Sequence, residues 1–336
     1  MNAKIVAIEY FFPENKLDNN DLSLEFAGHD FLNFEKKVGI KCRYIVSDSQ
    51  TALDLAVEAC KLLFLRIDKL DVDFILYCTQ SPEYFLPTSA CILQDRVGLR
   101  KNIGALDFNL GCSGYTYGIS MAKGLIKSGA AKNVLLVTAE TYSKFLHPKD
   151  RSNRSIFGDA ASATLISATS ENGIGEFVFG TDGSGYEKLI VRNGAGKNKF
   201  DQDAEQLPYG TENIYSENHL YMNGPEIMNF TTDVIPGFVQ EILDKNNRTK
   251  EEISQFVFHQ ANSFMLNLLR KKIAIDKGRF YNDLEDGGNT VSNTIPIALK
   301  RYSEQNENII NQEILLVGFG VGLSWCGGIV TIYNKL

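Results

Sequence analysis

The sequence has little of what marks several large classes of protein. Among its 336 residues are six cysteines and one tryptophan, and no two cysteines form a C-x-x-C pair. The cysteines therefore predict neither a zinc site nor a disulfide framework, and they fit a reducing cytoplasm best. No apolar run approaches the length that crosses a bilayer, and Glu9 interrupts the N-terminal apolar run too early for a secretory signal.

Charge and composition narrow the remaining classes. The formal net charge is -7, which argues against nucleic acid as a partner because phosphate binding needs a positive surface. With 44% hydrophobic and 22% charged residues, the chain has the composition of an ordinary globular protein, and we expect no membrane partner. A chain of this length predicts two domains or one large duplicated unit.

Apolar runs of strand length recur at similar intervals in the two halves of the chain. The runs are 73–80 and 133–138 in the first half, then 255–260 and 313–318 in the second. Within each pair lies a glycine-flanked turn that opens a helical pattern. This alternation predicts an α/β fold with parallel strands and helices outside. Many α/β chains alternate in this way, so the alternative is a chance likeness between the halves.

Cys112 is the strongest candidate for a nucleophile. It stands between an apolar run at 103–108, interpreted as a buried strand, and a helical pattern at 115–127. Glycines on both sides allow a sharp turn, and backbone N–H groups at the helix N-terminus favour a thiolate. The alternative is that the cysteine is simply a small buried hydrophobe, which is our interpretation of Cys60, Cys78 and Cys91.

Two residues in the second half of the chain occupy positions similar to that of Cys112, after an apolar run or at a turn that opens a helical pattern. His259 comes directly after an apolar run, and Asn289 lies in the polar turn Gly287–Thr290. Taken singly, the histidine is as often a hydrogen-bonded core residue, and the asparagine is also good turn chemistry. If the halves fold alike, however, both side chains meet Cys112 at the carboxyl ends of the strands.

Five segments in order resemble the β-ketoacyl-ACP synthase III family of thiolase-like condensing enzymes. They are Gly111–Tyr115 around the cysteine, Phe157–Ala161, His259–Asn262, Gly288–Thr290 and Gly318–Trp325. The likeness runs along nearly the whole chain. It departs from the family pattern at Ser113, where many members have alanine, and at Val321, where many have glycine.

The resemblance implies a fold and an assembly. The fold would be a thiolase-like duplicated α-β-α-β-α layered sandwich with two five-stranded mixed sheets. Residues 1–170 would form the half that carries the nucleophilic cysteine, and residues 171–336 the half that carries the histidine and the asparagine. The family also implies a cytoplasmic homodimer that needs no cofactor or metal.

The implied reaction is a decarboxylative Claisen condensation. An acyl group passes from acyl-CoA to Cys112, malonyl-ACP loses CO₂, and the enolate attacks the acyl-cysteine to give 3-oxoacyl-ACP. His259 and Asn289 would donate hydrogen bonds to the developing enolate, and the backbone N–H groups of Cys112 and Val321 would form a second oxyanion hole.

Other positions are assigned to substrate binding only through the resemblance. Those expected at the substrate are Lys37, Leu86, Arg151, Phe157, Phe264 and Gly320. From their charge alone, Arg270, Lys271 and Lys272 form a basic group that is usually a solvated face, with docking of the acidic carrier as the alternative. The family commonly has arginine at the position of Phe264, and a CoA-stacking tryptophan aligns near Asn33. These departures favour an accessory member in a secondary-metabolite or cell-surface glycan pathway over a housekeeping initiator.

Two further functions are left open by the sequence. The first is acyl transfer to a hydroxyl or an amine, which the altered CoA contacts favour. The second is a non-catalytic partner subunit, although such partners usually lack the cysteine. The complete set of Cys112, His259 and Asn289 favours the condensing enzyme over both.

Overall fold

Strands and helices alternate along the chain. A computed structural model describes residues 1–210 and 212–336. Its helices are α1 (Asn19–Glu25), α2 (Phe31–Val38), α3 (Ala52–Phe64), α4 (Ser89–Arg96), α5 (Gly114–Lys127), α6 (Arg151–Arg154), α7 (Gly224–Lys245), α8 (Ser263–Ile273) and α9 (Thr294–Gln305). Its strands are β1 (Asn2–Phe11), β2 (Asn15–Asp18), β3 (Cys42–Ile45), β4 (Phe74–Cys78), β5 (Gly104–Phe108), β6 (Asn133–Glu140), β7 (Ala160–Thr169), β8 (Ile174–Thr181), β9 (Leu189–Ile190), β10 (Leu207–Tyr209), β11 (Asn213–Tyr215), β12 (Tyr221–Met222), β13 (Gln255–Phe258), β14 (Asp286–Gly287), β15 (Gln312–Gly320) and β16 (Ser324–Ile332).

The first mixed sheet has the strand order β1-β7-β6-β4-β5. Strands β6, β4 and β5 run parallel, whereas β7 is antiparallel to both of its neighbours. Strand β5 lies at the edge, and Leu106 in its centre is 43% exposed. The interpretation of 103–108 as a buried strand is therefore wrong, since an edge strand has a neighbour on one side only.

The second mixed sheet repeats this pattern with one strand fewer. Its order is β13-β15-β16-β8, with β13 parallel to β15 and β16 antiparallel to both of its neighbours. At the place of a fifth strand, Phe280 forms a single bridge to Phe256. The chain then leaves the sheet, and β14 pairs with β3 in a separate three-stranded sheet. The expectation of two five-stranded sheets is therefore wrong for the described residues.

Helices separate and cover the two sheets. Helices α5 and α9 contact both sheets and lie between them. Helices α3 and α4 cover the outer face of the first sheet, and α7 and α8 cover that of the second. The result is the layered α-β-α-β-α order that the resemblance implied.

Helix α5 joins the core to the candidate nucleophile. Its residues Ile119, Ala122 and Ile126 are fully buried on one face, which confirms the helical pattern at 115–127. Gly129, with a φ of 77°, follows the last turn of the helix. Because the core fixes this helix, its N-terminus next to Cys112 is also fixed. Within residues 1–210 and 212–336, no helix has both the length and the apolar character needed to span a membrane.

Candidate active site

Cys112 lies in the tight turn between β5 and α5, and only 6% of it is exposed. The turn depends on glycine at two neighbouring points. A Cβ atom at Gly114 would lie 2.3 Å from Cys78 Sγ, and one at Gly320 would lie 2.9 Å from Cys112 Sγ. Glycine at these positions lets the start of α5 and the end of β15 approach the sulfur closely.

Two opposing influences act on the Cys112 thiol. Burial is the largest, and together with the nearby charge of Glu140 it raises the pKa of Cys112 to about 12. The backbone N–H groups of Cys112 and Val321 lower the same pKa, since each favours the negatively charged sulfur. The backbone N–H groups therefore favour the thiolate, as expected, but desolvation outweighs them and the pKa is raised overall. The sulfur nevertheless faces the two N–H groups expected to form an oxyanion hole.

His259 is held immediately after β13. Its backbone N–H donates to the carbonyl of Val317 at 2.8 Å, which keeps the residue in register with β15. The imidazole packs edge-on against Phe319, with ring centroids 5.6 Å apart. Burial lowers the pKa of His259 to about 3, so the ring is neutral at physiological pH.

The hydrogen bonds of the His259 ring determine which nitrogen carries the proton. Nδ1 lies 2.8 Å from Thr294 Oγ1, and that hydroxyl donates to the carbonyl of Val291 at 3.1 Å. A hydroxyl has one proton, so in this arrangement Thr294 accepts from Nδ1–H. The Nε2 atom then carries a lone pair that can accept a proton.

Asn289 lies just before the turn into α9, with its side chain oriented by the backbone. Its Oδ1 accepts a hydrogen bond from the N–H of Val291 at 2.9 Å. Its own N–H donates to Ile156 at 2.9 Å, and its carbonyl accepts from Gly158 at 3.1 Å. With the side-chain oxygen engaged in this way, the amide group is left as a donor.

One cavity of about 240 Å³ brings Cys112, His259 and Asn289 together. Its wall is mostly apolar and includes Phe157, Leu189, Met222, Ile227, Met265 and Phe319. Gly320 also lines the cavity. Hydrogen bonds made in such an apolar chamber are stronger than in water. The arrangement suits chemistry in which negative charge develops on a carbonyl oxygen.

Comparison with known proteins agrees with this geometry. The family model for 3-oxoacyl-[acyl-carrier-protein] synthase III matches residues 106–183, and the model for its C-terminal part matches residues 243–332. A β-ketoacyl-[acyl-carrier-protein] synthase III of Clostridium perfringens (strain 13 / Type A) is 36% identical over 334 residues, covering 98% of this chain and 99% of the relative. This chain belongs to the β-ketoacyl-ACP synthase III family.

Solved structures of the family share the whole fold. A 3-oxoacyl-(acyl-carrier-protein) synthase III has a TM-score of 0.97 and 44% identity, covering 99% of this chain and 100% of that one. The 3-oxoacyl-(acyl-carrier protein) synthase of Burkholderia xenovorans LB400 has a TM-score of 0.89 and 31% identity, covering 99% of this chain and 95% of that one. The expected thiolase-like class of fold, and membership of an acyltransferase family, are confirmed.

Several residues named through the synthase III resemblance lie away from the cavity wall. The Arg151 guanidinium binds Glu212 at 2.8 Å and contacts His29. Lys37 Nζ lies 5.5 Å from the ring centroid of Phe264, which is 48% exposed on the first turn of α8. Phe264 stands between the cavity residues Asn262 and Met265, so the pair adjoins the cavity without lining it.

Of the remaining predicted contacts, Leu86, Lys271 and Lys272 are exposed. Arg270 is half-buried, and its guanidinium donates to the carbonyl of Ile275 at 2.9 Å. Leu86 is 82% exposed and Phe85 is 84% exposed, so their loop does not reach the cavity of its own chain. Arg270, Lys271 and Lys272 occupy the last turn of α8, away from the cavity. Lys271 lies two helical turns beyond Phe264 and on the same face of the helix.

Sequence reasoning missed the residues that support the site. Thr294 orients His259, and the Ser113 and Ser324 hydroxyls lie 2.9 Å apart, joining the nucleophile turn to the segment after Val321. No sequence pattern distinguishes these hydroxyls from ordinary core hydroxyls. Glu140 was also missed, although a carboxylate that ends a buried apolar strand is a signal in itself.

Proposed function

We propose that this protein transfers an acyl group from acyl-CoA to Cys112 and condenses it with malonyl-ACP to give 3-oxoacyl-ACP, CO₂ and free CoA. The observation that carries the proposal is the shared cavity of Cys112, His259 and Asn289, with the sulfur beside two backbone N–H groups. Each group matches one requirement of the reaction. This condensation would be the first elongation step in the synthesis of a fatty-acid-like acyl chain.

The first step needs a base because the resting thiol is protonated. As Cys112 attacks the thioester carbonyl, its proton passes to Nε2 of His259. The N–H groups of Cys112 and Val321 hold the negative oxygen of the tetrahedral intermediate. The carbon–sulfur bond to CoA then breaks, and the leaving thiolate takes the proton from the imidazolium.

The second step makes the carbon–carbon bond. The amide of Asn289 and Nε2–H of His259 donate to the thioester oxygen of malonyl-ACP, which stabilises the enolate as CO₂ departs. The enolate carbon attacks the acyl-cysteine, and Cys112 leaves as a thiolate that takes a proton from water. The mostly apolar wall limits hydration of the enolate before it reacts.

The two steps require opposite tautomers of His259. The Thr294 hydroxyl can hydrogen-bond Nδ1 in either tautomer, as an acceptor in one and as a donor in the other. In the acyl-transfer step Nδ1–H donates to the hydroxyl, which leaves Nε2 free to accept a proton. Between the steps Nδ1 releases its proton to solvent and Nε2 takes one up from solvent. In the condensation step the hydroxyl then turns from the Val291 carbonyl and donates to Nδ1, while Nε2–H faces the substrate. Thr294 is therefore proposed as a positioning residue.

Intact mass spectrometry tests the proposal directly. Exposure to a series of acyl-CoAs should add one acyl mass, and Cys112→Ala should abolish the addition while Cys91→Ala, at an exposed cysteine, should not. Adding malonyl-ACP should discharge the acyl group and release CO₂ with a 3-oxoacyl product. Discharge by alcohols or amines, with no carbon–carbon bond formed, would replace condensation with simple acyl transfer.

A homodimer is proposed from the apolar surface of the first half. Phe85 and Leu86 project from one loop, and the outer edge of β5 has no neighbouring strand within the described residues. Exposed apolar groups beside an open strand edge are typical of an interface. Phe85→Asp should lower the molar mass measured by light scattering toward one chain, whereas Phe200→Asp, at another exposed aromatic, should not.

The remaining assignments also stand as proposals. Residues 1–170 and 171–336 are the proposed duplicated halves, supported by the similar strand order of the two sheets. Arg270, Lys271 and Lys272 are proposed to dock the carrier in the cytoplasm. The double variant Lys271→Glu/Lys272→Glu should raise the KM for malonyl-ACP and leave acylation by acyl-CoA unchanged.

A further inference from the structure

Glu140 is a carboxyl group that the reaction steps above do not use. It is the last residue of β6 and is fully buried. It forms no ion pair with any residue in the described ranges. A buried carboxyl without a cation is costly when charged, so its position calls for a physical explanation.

Hydrogen bonds tie Glu140 to two segments near the nucleophile. Its two oxygens accept from the backbone N–H of Gln80, each at 3.1 Å, and one accepts from the Ser81 hydroxyl at 3.0 Å. The Ser292 hydroxyl donates at 3.3 Å from the turn that follows Asn289. The carboxyl therefore joins the loop after β4 to the segment that carries a proposed catalytic amide.

The same network reaches the turn of Cys112. The Gln80 side-chain oxygen would lie 2.6 Å from a Cβ at Gly111, next to the nucleophile, and it accepts a hydrogen bond from Tyr142 at 2.5 Å. Among the described residues, the acids that interact electrostatically with Glu140 include Cys112, Cys78, Tyr77, Tyr142 and Asp159. An ionised Glu140 therefore opposes ionisation of the thiol.

We infer that Glu140 is a positioning residue whose charge modulates the proton affinity of Cys112: burial favours the protonated thiol in either state, and an ionised Glu140 makes ionisation of the thiol harder still. The inference extends the proposed function, because it identifies what sets the reactivity of the nucleophile. It requires no covalent step of its own. Glu140 keeps its proton while the proton of Cys112 goes to His259.

Both forms of Glu140 occur near neutral pH. Burial raises the pKa of Glu140 to about 8, with Asp159 adding to the rise, whereas the hydrogen bonds from Gln80, Ser81 and Ser292 lower it. Two acids that interact in this way titrate as a pair. Above pH 8 the carboxylate form of Glu140 predominates. Its negative charge then disfavours ionisation of the Cys112 thiol.

Alkylation of Cys112 by iodoacetamide, followed by peptide mass spectrometry between pH 6 and 10, measures the thiolate directly. Below about pH 7 the parent and Glu140→Gln should react at equal rates, because Glu140 is then neutral in the parent. By pH 10, where Glu140 is almost fully ionised, the Glu140→Gln variant should react faster by about tenfold if the carboxylate raises the thiol pKa by about one unit. Glu140→Asp retains the charge and should follow the parent profile.

A second measurement protects the test against a poorly folding variant. In the parent alone, the logarithm of the alkylation rate should rise less steeply above pH 8 than below it. A constant slope, or a difference between the parent and Glu140→Gln that does not depend on pH, would overturn the inference. Alkylation needs no thioester or carrier, so this result is independent of whether the condensation itself is observed.

Discussion

Replacing Asn289 with aspartate separates the two proposed steps of the reaction. The carboxylate retains an oxygen that accepts from the N–H of Val291, a bond of 2.9 Å in the parent. The change removes the amide donor and places a negative charge in the cavity. Acyl transfer uses the N–H groups of Cys112 and Val321 instead, so it should be affected much less.

The magnitude follows from the loss of one oxyanion donor. Removing such a donor typically lowers kcat by about 100- to 1000-fold. The new charge adds repulsion toward the enolate, which at about 4 Å and an effective dielectric constant near 20 amounts to a few kcal/mol. Condensation should therefore fall by at least about 100-fold, and acylation of Cys112 by less than about tenfold.

Two assays and one matched variant check this prediction. Stopped samples analysed by intact mass give the acylation rate, and release of labelled CO₂ from malonyl-ACP gives the condensation rate. Asn262→Asp is the control, because Asn262 lines the same cavity and caps α8 through a side-chain oxygen that aspartate also has. If both rates fall equally in Asn289→Asp, or if Asn262→Asp has the same effect, the proposed role of the amide is refuted.

Three further predictions concern residues around the site. Thr294→Val removes the partner that serves both tautomers of His259, so condensation should fall by about tenfold and more than acylation does; equal losses would contradict the tautomer argument. Gly320→Ala places a Cβ 2.9 Å from Cys112 Sγ, so acylation should slow by about 10- to 100-fold, whereas Gly124→Ala, with no atom within 4 Å, should not slow it. The raised pKa of Glu140 means that the folded state binds a proton that the unfolded state has lost between about pH 4.5 and pH 8. The free energy of unfolding from urea titrations should therefore fall as pH rises through this window, and less in Glu140→Gln.

Local patterns in the sequence predict helices and strands whose burial follows the spacing of their own apolar residues. The buried face of α5 follows from the spacing of Ile119, Ala122 and Ile126, and the apolar runs mark most of the strands around the two sheets. Helix α5 buries one face and leaves Gly124 and Lys127 exposed, so its periodicity shows clearly in the sequence. Sheet edges do not follow from such patterns. Leu106 belongs to an apolar run, yet it is exposed because β5 lies at the edge of its sheet, where no strand within residues 1–210 and 212–336 pairs with its outer side.

The electrostatic properties of the site are also only partly predictable from the sequence. Turn glycines and strand ends in the sequence selected Cys112, whereas His259 and Asn289 were joined to it through the expected duplication and the family resemblance; all three line one cavity. These patterns did not predict the protonation of the thiol, because the helix N-terminus is visible in the sequence whereas desolvation and the charge of Glu140 are not. The role of the Thr294 hydroxyl could not be predicted from the sequence either, because it depends on the orientation of the His259 ring in the folded protein.

Burial accounts for the resting state of the whole site. It favours the neutral form of each acid and base, so Cys112 keeps its proton and His259 remains uncharged. A thiolate–imidazolium pair is therefore not the resting state, in contrast to sites where a cation lowers the thiol pKa. In the proposed reaction, the Cys112 proton therefore passes to His259 only as the thiol attacks the thioester carbonyl, and the N–H groups of Cys112 and Val321 stabilise the negative oxygen that forms. We expect the thiol to react slowly with other electrophiles until a thioester is bound.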